Sequence, residues 1–156
     1  MLKSFFVQKN KKYRRVVFAV VYRRKNGKIE YLLLKRKLHW KGWEFPKGGI
    51  ERFESKKMTV WREVFEETGI RPIRIKNHRF DGSYNYKKNI PKRPFVGQIF
   101  YLYSAEINSD SEVKIDGREH SDFQWIDFRK SLHILTWDNQ RECLKRVDDW
   151  VRRKVD

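Results

Sequence analysis

Two apolar segments joined by Asn26-Gly27 constrain the fold of this chain more than any other feature. The segment RRVVFAVVYRR (residues 14–24) is rich in β-branched residues and bounded by charge, and IEYLLLKRK (29–37) is a second apolar run. Both central residues of a type I′ turn need positive φ, which Asn and Gly adopt readily. The pattern therefore predicts a hairpin of two antiparallel strands.

Further strands are predicted along the rest of the chain. The segment GWEFPKGG (42–49) predicts one short strand that ends in a glycine-rich loop. Apolar runs predict strands at 74–80, 95–107 and 123–128, with a turn at Asp81-Gly82.

Two helices complete the prediction. One runs from about Lys56 to Thr68, because Ser55 is a favourable N-cap and Gly69 suits the C′ position. A closing amphipathic helix is predicted at 137–153, where Leu144, Val147 and Val151 follow helical spacing. Strands and helices together predict a mixed α/β layered domain.

Length and composition predict one domain. The 156 residues, 39% hydrophobic and 15% aromatic, suit a single packed core. We expect a basic N-terminal segment at 1–13 and one domain at 14–156. The single cysteine, Cys143, excludes an internal disulfide or a multi-cysteine zinc site and is predicted to be buried and inert. Without an apolar run of signal-peptide or membrane-span length, we expect a cytoplasmic protein with no membrane partner.

The charge balance points to a polyanionic ligand without naming it. The chain has 37 Lys and Arg against 20 Asp and Glu, a formal net charge of +17. Such a surface attracts nucleic acid, anionic membrane, nucleotides or inositol phosphates, although a merely solvated charged surface has the same composition.

In this basic chain, the segment WREVFEETGI (61–70) holds three glutamates within five positions. On a helical wheel Glu63, Glu66 and Glu67 share one face, and we predict that they project away from the sheet. The residues predicted to pack against the sheet are Met58, Trp61, Val64, Phe65 and Thr68. The carboxylates repel one another near a helix C-terminus, so the arrangement is either a solvated face or a site for a hard divalent cation.

The residues around this helix resemble a known family. Gly48, Glu54, Arg62-Glu63, Glu66-Glu67 and Gly69-Ile70 occupy the fixed positions of the pattern G-x5-E-x7-R-E-U-x-E-E-x-G-U, in which U is a bulky aliphatic residue. This is the signature of the Nudix hydrolases. The resemblance implies an α/β fold with a mixed β-sheet layered between α-helices (an α/β/α sandwich), and hydrolysis of a diphosphate linkage with Mg²⁺ or Mn²⁺.

The resemblance also implies roles for individual residues. Glu63, Glu66 and Glu67 would be metal ligands, with the carbonyl of Lys47 as a further one. The structural support of the site would come from Gly48, Glu54, Arg62 and Gly69. One departure from the family is Phe53, which stands before Glu54 where members often have glycine, and it puts the conformation of this loop in question.

Some members of the superfamily use a glutamate outside the signature as general base or extra ligand. Glu119, on a predicted loop before the strand at 123–128, has this setting, and Glu106 is a weaker candidate. His120 is predicted to lie at the surface. The other histidines, His39, His78 and His133, have no partner that suggests metal binding or nucleophilic catalysis.

The flanking segments bear on the substrate. The segment GWEFPKGGIE is similar to the corresponding segment of Nudix enzymes that act on dinucleoside polyphosphates and on triphosphorylated or capped RNA ends. Cations would meet phosphates and aromatic rings would stack bases, although Trp43 and the tyrosines equally suit packing. The predicted substrate-binding residues are Arg36, Lys37, Trp43, Lys47, Tyr84, Tyr86 and Arg93.

Four functions are compatible with these residues. The first is asymmetric hydrolysis of diadenosine tetraphosphate to ATP and AMP, and the second is RNA 5′-end pyrophosphohydrolysis or decapping, which the net charge favours. A diphosphoinositol polyphosphate phosphohydrolase and a nonenzymatic nucleotide- or RNA-binding module are the others. The number of metals and the oligomeric state stay open.

Overall fold

The computed structural model describes residues 12–87 and 94–154. Within these ranges the strands are β1 (Tyr13–Lys25), β2 (Lys28–Arg36), β3 (Gly42–Glu44), β4 (Lys47–Gly49), β5 (Arg74–Asn85), β6 (Gly97–Glu106) and β7 (His120–Ile126). The helices are α1 (Lys56–Thr68), α2 (Phe128–Ile134) and α3 (Asp138–Arg153). Arg93, one of the predicted substrate-binding residues, and residues 1–11 lie outside the described residues.

The hairpin predicted from Asn26-Gly27 is confirmed. β1 and β2 pair antiparallel up to Lys25 and Lys28, and the two turn residues have φ angles of 52° and 73°. The turn therefore places two apolar strands side by side within the sheet.

The sheet is mixed, with β1 at its centre. Its strands run in the order β3-β2-β1-β6-β5, while β4 pairs with β1 and β7 pairs with β2. The pairing of β1 with β6 is parallel, and the other pairings are antiparallel. β1 changes partner along its length, because residues 16–18 pair with β4 and residues 22–25 pair with β2. The loop after β4 therefore leaves the sheet beside its central strand.

Each face of the sheet is covered by helix. On one face Val17, Ala19 and Val21 of β1 share a buried cluster with Val60 and Val64 of α1. On the other face β1 packs with α3, whose buried apolar side chains include Leu144, Val147 and Val151. This confirms the predicted sandwich of a mixed sheet between helices. Among the described residues, no helix is long and apolar enough to cross a membrane.

The predicted packing face of α1 was partly wrong. Val64 and Thr68 are buried, but Met58, Trp61 and Phe65 are 58%, 40% and 39% exposed. The helix is rotated so that the small and β-branched side chains Thr59, Val60 and Val64 and the carboxylate Glu67 face the sheet. Short side chains allow the helix to approach a sheet of Val and Leu closely, and the large aromatic residues remain at the surface.

Other element boundaries also differ from the prediction. Asp81-Gly82 is part of β5, whose pairing with β6 is irregular between Asn77 and Asp81. Gly82 is needed there for packing, because a Cβ would lie 2.5 Å from the Phe100 ring. The strand predicted at 42–49 is divided into β3 and β4, which pair with different strands, and the segment after Asp127 forms α2, which was not predicted.

The closing helix and Cys143 follow the prediction. α3 begins at Asp138 and ends at Arg153. Cys143 is fully buried, and burial, followed by the charge of Glu142, raises the pKa of its thiol to about 12. A buried thiol that stays protonated is a weak nucleophile, which agrees with the inert role predicted for it.

Candidate active site

Helix α1, which carries the glutamates, is capped at both ends. The Ser55 side chain accepts a hydrogen bond of 3.1 Å from the backbone N–H of Met58, which caps the helix. At the other end Gly69 is in the left-handed conformation, and its N–H donates to the carbonyl of Phe65 at 2.8 Å. The two predicted caps therefore fix the ends of the segment that carries the glutamates.

Arg62 braces the loop against the helix. Its Nε and Nη2 donate to both carboxylate oxygens of Glu54, at 2.7 and 2.9 Å, and Nη2 also donates to the carbonyl of Gly49 at 3.0 Å. This bidentate contact, together with a hydrogen bond from Thr59, outweighs burial and lowers the pKa of Glu54 to about 2. The geometry is the one implied for the Arg62–Glu54 pair.

The same guanidinium reaches two glutamates of the helix. Arg62 Nη1 donates to Glu63 Oε1 at 2.8 Å and to Glu66 Oε2 at 3.3 Å. Glu63 lies directly over Gly48, where an added Cβ would come within 1.9 Å of the carboxyl carbon. The side chain of Glu66 is 54% exposed. Gly48 thus leaves the space that the carboxylate of Glu63 occupies.

Glu67 is buried, which corrects the prediction that all three carboxylates project away from the sheet. Its Oε2 accepts a hydrogen bond of 3.1 Å from the backbone N–H of Lys47, and its Oε1 is buried with no hydrogen-bond partner. Burial, followed by the charges of Glu63, Glu44 and Glu119, raises the pKa of Glu67 well above its ordinary value. A carboxylate in this position is costly unless a further group compensates it.

Glu119 joins this cluster from a different part of the chain, directly before β7, as its predicted setting requires. A carboxylate oxygen of Glu67, one of Glu119 and a ring nitrogen of His120 lie within 4.8 Å of one another. His120 was predicted to lie at the surface, but it is fully buried, and its Nε2 is 3.0 Å from Glu44 Oε1. The sheet encloses His120 because β7 pairs with β2 from this residue onward.

Glu44 is the functional candidate that the sequence analysis missed. It is fully buried, and its carboxylate contacts Arg36 Nη1 at 3.0 Å, His120 Nε2 at 3.0 Å and Lys47 Nζ at 3.6 Å. Burial acts to raise the pKa of Glu44, but these partners outweigh it and lower the pKa. In the sequence, the indication of such a role was a single acidic residue, Glu44, between the aromatic residues Trp43 and Phe45.

The predicted substrate-binding residues are in different environments. Arg36 lies between Glu44 and Glu119, 3.9 Å from the latter, whereas Lys37 is exposed beside it. Trp43 packs against the buried core. Tyr84 packs against the same core, donates its hydroxyl hydrogen bond to Gln98, and has Tyr86 edge-on to its ring at 6.2 Å.

The remaining candidates lie apart from the cluster. Glu106 pairs with Arg24 at 3.2 Å, near the end of β1 that pairs with β2. His78 bonds Ser104 at 2.7 Å, and burial lowers its pKa to about 4.

A cleft of about 390 Å³ opens beside Glu63. It is lined by Arg14 and Arg15, cations at the start of β1 that the sequence analysis did not single out.

The cluster fits a divalent cation. Glu67 and Glu119 offer hard carboxylate oxygens beside a ring nitrogen of His120, and Glu67 Oε1 has no hydrogen-bond partner. The neighbouring carboxylate of Glu63 is held over Gly48. Hard cations such as Mg²⁺ prefer oxygen ligands and bridge carboxylates to phosphates. When bound, such an ion polarises a phosphate chain and lowers the pKa of a coordinated water.

The chain is similar to several known proteins. Residues 12–147 match the family described as the NUDIX domain. Curated RNA pyrophosphohydrolases are similar over nearly the whole chain: that of Nitratiruptor is 27% identical and covers 92% of this chain and 96% of its own, and that of Sulfurovum is 27% identical and covers 94% and 98%. The structure of a Caenorhabditis elegans Ap4A hydrolase superposes with a TM-score of 0.73 at 21% identity, covering 90% of this chain and 98% of its own, which shows a common fold.

Proposed function

The chain belongs to the NUDIX family and is a pyrophosphohydrolase, and we propose that its substrate is the 5′-triphosphorylated end of RNA, from which it releases pyrophosphate. The observation that carries this proposal is the convergence of Glu67 and Glu119, from distant parts of the chain, in a protein of net charge +17. These carboxylates can hold a metal ion that assists attack on a phosphate, and the positive charge of the chain favours a substrate with many phosphates.

We assign the metal-holding role to Glu63, Glu66 and Glu67, with Mg²⁺ or Mn²⁺ as the ion. NUDIX hydrolases generally use divalent metals, and the unpartnered oxygen of Glu67 supports this assignment. Arg62 donates hydrogen bonds to Glu63 and Glu66 at 2.8 and 3.3 Å, which orients the two proposed ligands.

Glu119 is the proposed general base. It lies outside α1, its side chain is 36% exposed, and it stands 3.9 Å from Arg36 Nη1. It lies beside the proposed metal ligand Glu67, where a carboxylate can accept the proton of the attacking water. We assign the neutralisation of charge on the phosphates to Arg36 and Lys47, because both cations contact the buried Glu44 and Arg36 also approaches Glu119.

The second candidate is asymmetric hydrolysis of diadenosine tetraphosphate to ATP and AMP. The observation that favours it is the half-buried Tyr84–Tyr86 pair, a candidate contact for a second base. RNA is placed first because the similarity to curated RNA pyrophosphohydrolases extends over nearly the whole chain.

The test compares the two substrates at low salt with Mg²⁺. We expect rapid pyrophosphate release from a 5′-triphosphorylated oligonucleotide and a loss of about 100-fold or more in Glu119→Gln. Release of ATP and AMP from diadenosine tetraphosphate, with the oligonucleotide unchanged, would assign the second function instead. Hydrolysis of neither substrate, or an unaffected Glu119→Gln variant, would contradict the proposal.

A further inference from the structure

A histidine lies among the carboxylates where β7 begins. A carboxylate oxygen of Glu67, one of Glu119 and a ring nitrogen of His120 lie within 4.8 Å of one another. In the part of the chain that the structure describes, no other three acidic, histidine or cysteine side chains converge in this way. His120 thus adds a nitrogen donor to a group whose other donors are oxygens, and the proposed function does not use it.

His120 presents one ring nitrogen to a carboxylate and leaves the other without a partner. Its side chain is fully buried, Nε2 lies 3.0 Å from Glu44 Oε1, and Nδ1 is buried with no hydrogen-bond partner. Because a carboxylate only accepts hydrogen bonds, Nε2 carries the hydrogen of this pair, and Nδ1 of the neutral ring keeps its lone pair. Buried polar side-chain atoms are normally hydrogen-bonded, so packing alone does not explain this Nδ1.

Glu44 is held in the orientation that the pair with His120 requires. Arg36 Nη1 contacts Glu44 Oε1 at 3.0 Å, and Lys47 Nζ lies 3.6 Å from Oε2. A histidine that binds a metal through one ring nitrogen almost always donates its other N–H to a neighbouring group, often a carboxylate, which sets the tautomer and makes the ligating nitrogen more basic. The contact of His120 with Glu44 has this form.

Negative charge is in excess around the histidine. The charges of Glu44 and Glu119 help to raise the pKa of Glu67, whose Oε1 is buried without a hydrogen-bond partner. Arg36 and Lys47 contact the group, but both cations are engaged by Glu44. A divalent cation between Glu67 and Glu119 would compensate this charge.

We propose that Glu67, Glu119 and His120 form a second cation site, which binds Zn²⁺ through the carboxylates and His120 Nδ1. Mg²⁺ takes oxygen ligands, whereas Zn²⁺ binds imidazole nitrogen and carboxylate oxygen together. Glu67 is also a proposed ligand of the hydrolytic ion, and Glu119 is the proposed general base. Zn²⁺ at this site therefore inhibits hydrolysis, and this regulatory consequence rests on the proposed function.

Calorimetry tests the site without turnover. Zn²⁺ and Mg²⁺ are titrated separately into the metal-free wild type and His120→Gln, in which an amide N–H can still donate to Glu44. We expect the variant to bind Zn²⁺ about 100-fold more weakly and Mg²⁺ within about twofold of wild type, because only Zn²⁺ uses the imidazole. Equal Zn²⁺ affinity in the two proteins, or an equal loss for both ions, would overturn the proposal.

His78→Gln is the matched control. His78 is also partly buried and bonded through its ring Nε2, to Ser104 at 2.7 Å, but it lies apart from the carboxylates. We expect its replacement to change neither affinity.

If His120→Gln fails to fold, the wild type answers the question by NMR of its ¹⁵N-labelled histidine rings. Zn²⁺ should shift the Nδ1 resonance of His120 and leave Nε2 protonated, and an unshifted resonance would overturn the proposal.

Inhibition is measured as pyrophosphate release from the 5′-triphosphorylated oligonucleotide in saturating Mg²⁺, relative to the zinc-free rate of each protein. Half-inhibition of His120→Gln should need about 100-fold more Zn²⁺ than that of wild type. Zn²⁺ bound at His120 without inhibition would overturn the regulatory role.

The binding measurements separate this site from the proposed function. If neither RNA nor diadenosine tetraphosphate is hydrolysed, Zn²⁺ binding that depends on His120 still supports the site. If RNA is hydrolysed but Zn²⁺ affinity is equal in wild type and His120→Gln, the site is overturned and the proposed function stands.

Discussion

At the scale of single residues, the most informative group is the buried carboxylate of Glu67. One of its oxygens accepts the N–H of Lys47 and the other has no partner, although the side chain is only 3% exposed. Burying such a group without compensation costs free energy, so its presence on the packed face of α1 is explained by function better than by stability.

Replacing Glu67 should separate activity from stability. Glu67→Gln keeps the shape and the acceptor for Lys47 but removes the charge, so we expect at least about a 100-fold loss of kcat with an equal or higher melting temperature of the metal-free protein. Pyrophosphate release and thermal melts in EDTA measure the two effects. Glu142→Gln, at a side chain that is 59% exposed, is the control and should change neither. A large fall in melting temperature for Glu67→Gln would show that the carboxylate stabilises the fold.

The raised pKa of Glu63 predicts how the stability of the metal-free protein depends on pH. Burial, followed by the charges of Glu66 and Glu119, raises its pKa from 4.5 to about 7 despite the opposing charge of Arg62. Between these values the folded protein holds a proton that the unfolded chain has lost, so stability falls as the pH rises from about 4.5 to about 7.

Urea denaturation in EDTA at pH 5 and pH 7.5 tests this expectation. The free energy of unfolding should be lower at pH 7.5, and the pH difference should shrink by about 2 kcal/mol in Glu63→Gln. Added Mg²⁺ should restore more stability at pH 7.5, because the metal binds the deprotonated carboxylates. Identical pH differences in wild type and variant would contradict the raised pKa.

At the scale of elements, β4 and α1 act as one unit. Gly48 of β4 lies against Glu63 of α1. Arg62 joins the loop between these two elements to the helix through Glu54, and it also bonds the carbonyl of Gly49 in β4. The exposed aromatic residue Phe53, whose φ is 67°, stands in this loop without disturbing the Arg62–Glu54 contact. The departure from the family pattern at this position therefore leaves the brace intact.

Gly48→Ala tests this unit directly. The new methyl group would meet the end of the flexible Glu63 side chain, so the helix need not move, but the carboxylate must leave its place. We expect a loss of activity of about 100-fold or more with a change of melting temperature of only a few degrees. Gly117→Ala, where a methyl group meets open space, is the matched control. Full activity in Gly48→Ala would show that Glu63 need not occupy this position.

At the scale of the whole molecule, the net charge of +17 is the dominant property. An RNA chain presents many phosphates to such a surface, and each neutralised phosphate contributes about −0.7 to the slope of log affinity against log salt for single strands. A dinucleoside polyphosphate presents only its short phosphate chain.

Salt titration therefore separates the two substrates. We expect the KM of a 5′-triphosphorylated oligonucleotide of about ten residues to rise more steeply with KCl than the KM of diadenosine tetraphosphate, with kcat little affected. A triphosphorylated dinucleotide is the control and should follow the shallower slope. Equal slopes for long and short RNA would show that only the phosphates at the active site are bound, and that the remaining positive charge has another role.

Local patterns in the sequence were sufficient to predict many of the structural elements and the family of this protein. The Asn26-Gly27 turn, the caps Ser55 and Gly69, and the closing helix each depend on neighbouring residues, and each is present as predicted. The spacing of Arg62, Glu54 and the glutamates of α1 likewise identified the family, because the whole pattern lies within one short segment.

Only the tertiary structure decided which side chains the sheet encloses. Glu67 and His120 were predicted to be exposed and are buried, while Trp61 and Phe65 were predicted to pack and are exposed, because the rotation of α1 and the pairing of β7 with β2 depend on distant strands. The cluster of Glu67, Glu119 and His120 joins segments far apart in the chain. Periodicity within a segment determines its own conformation, but the burial and charge environment of a residue are determined by the segments packed against it.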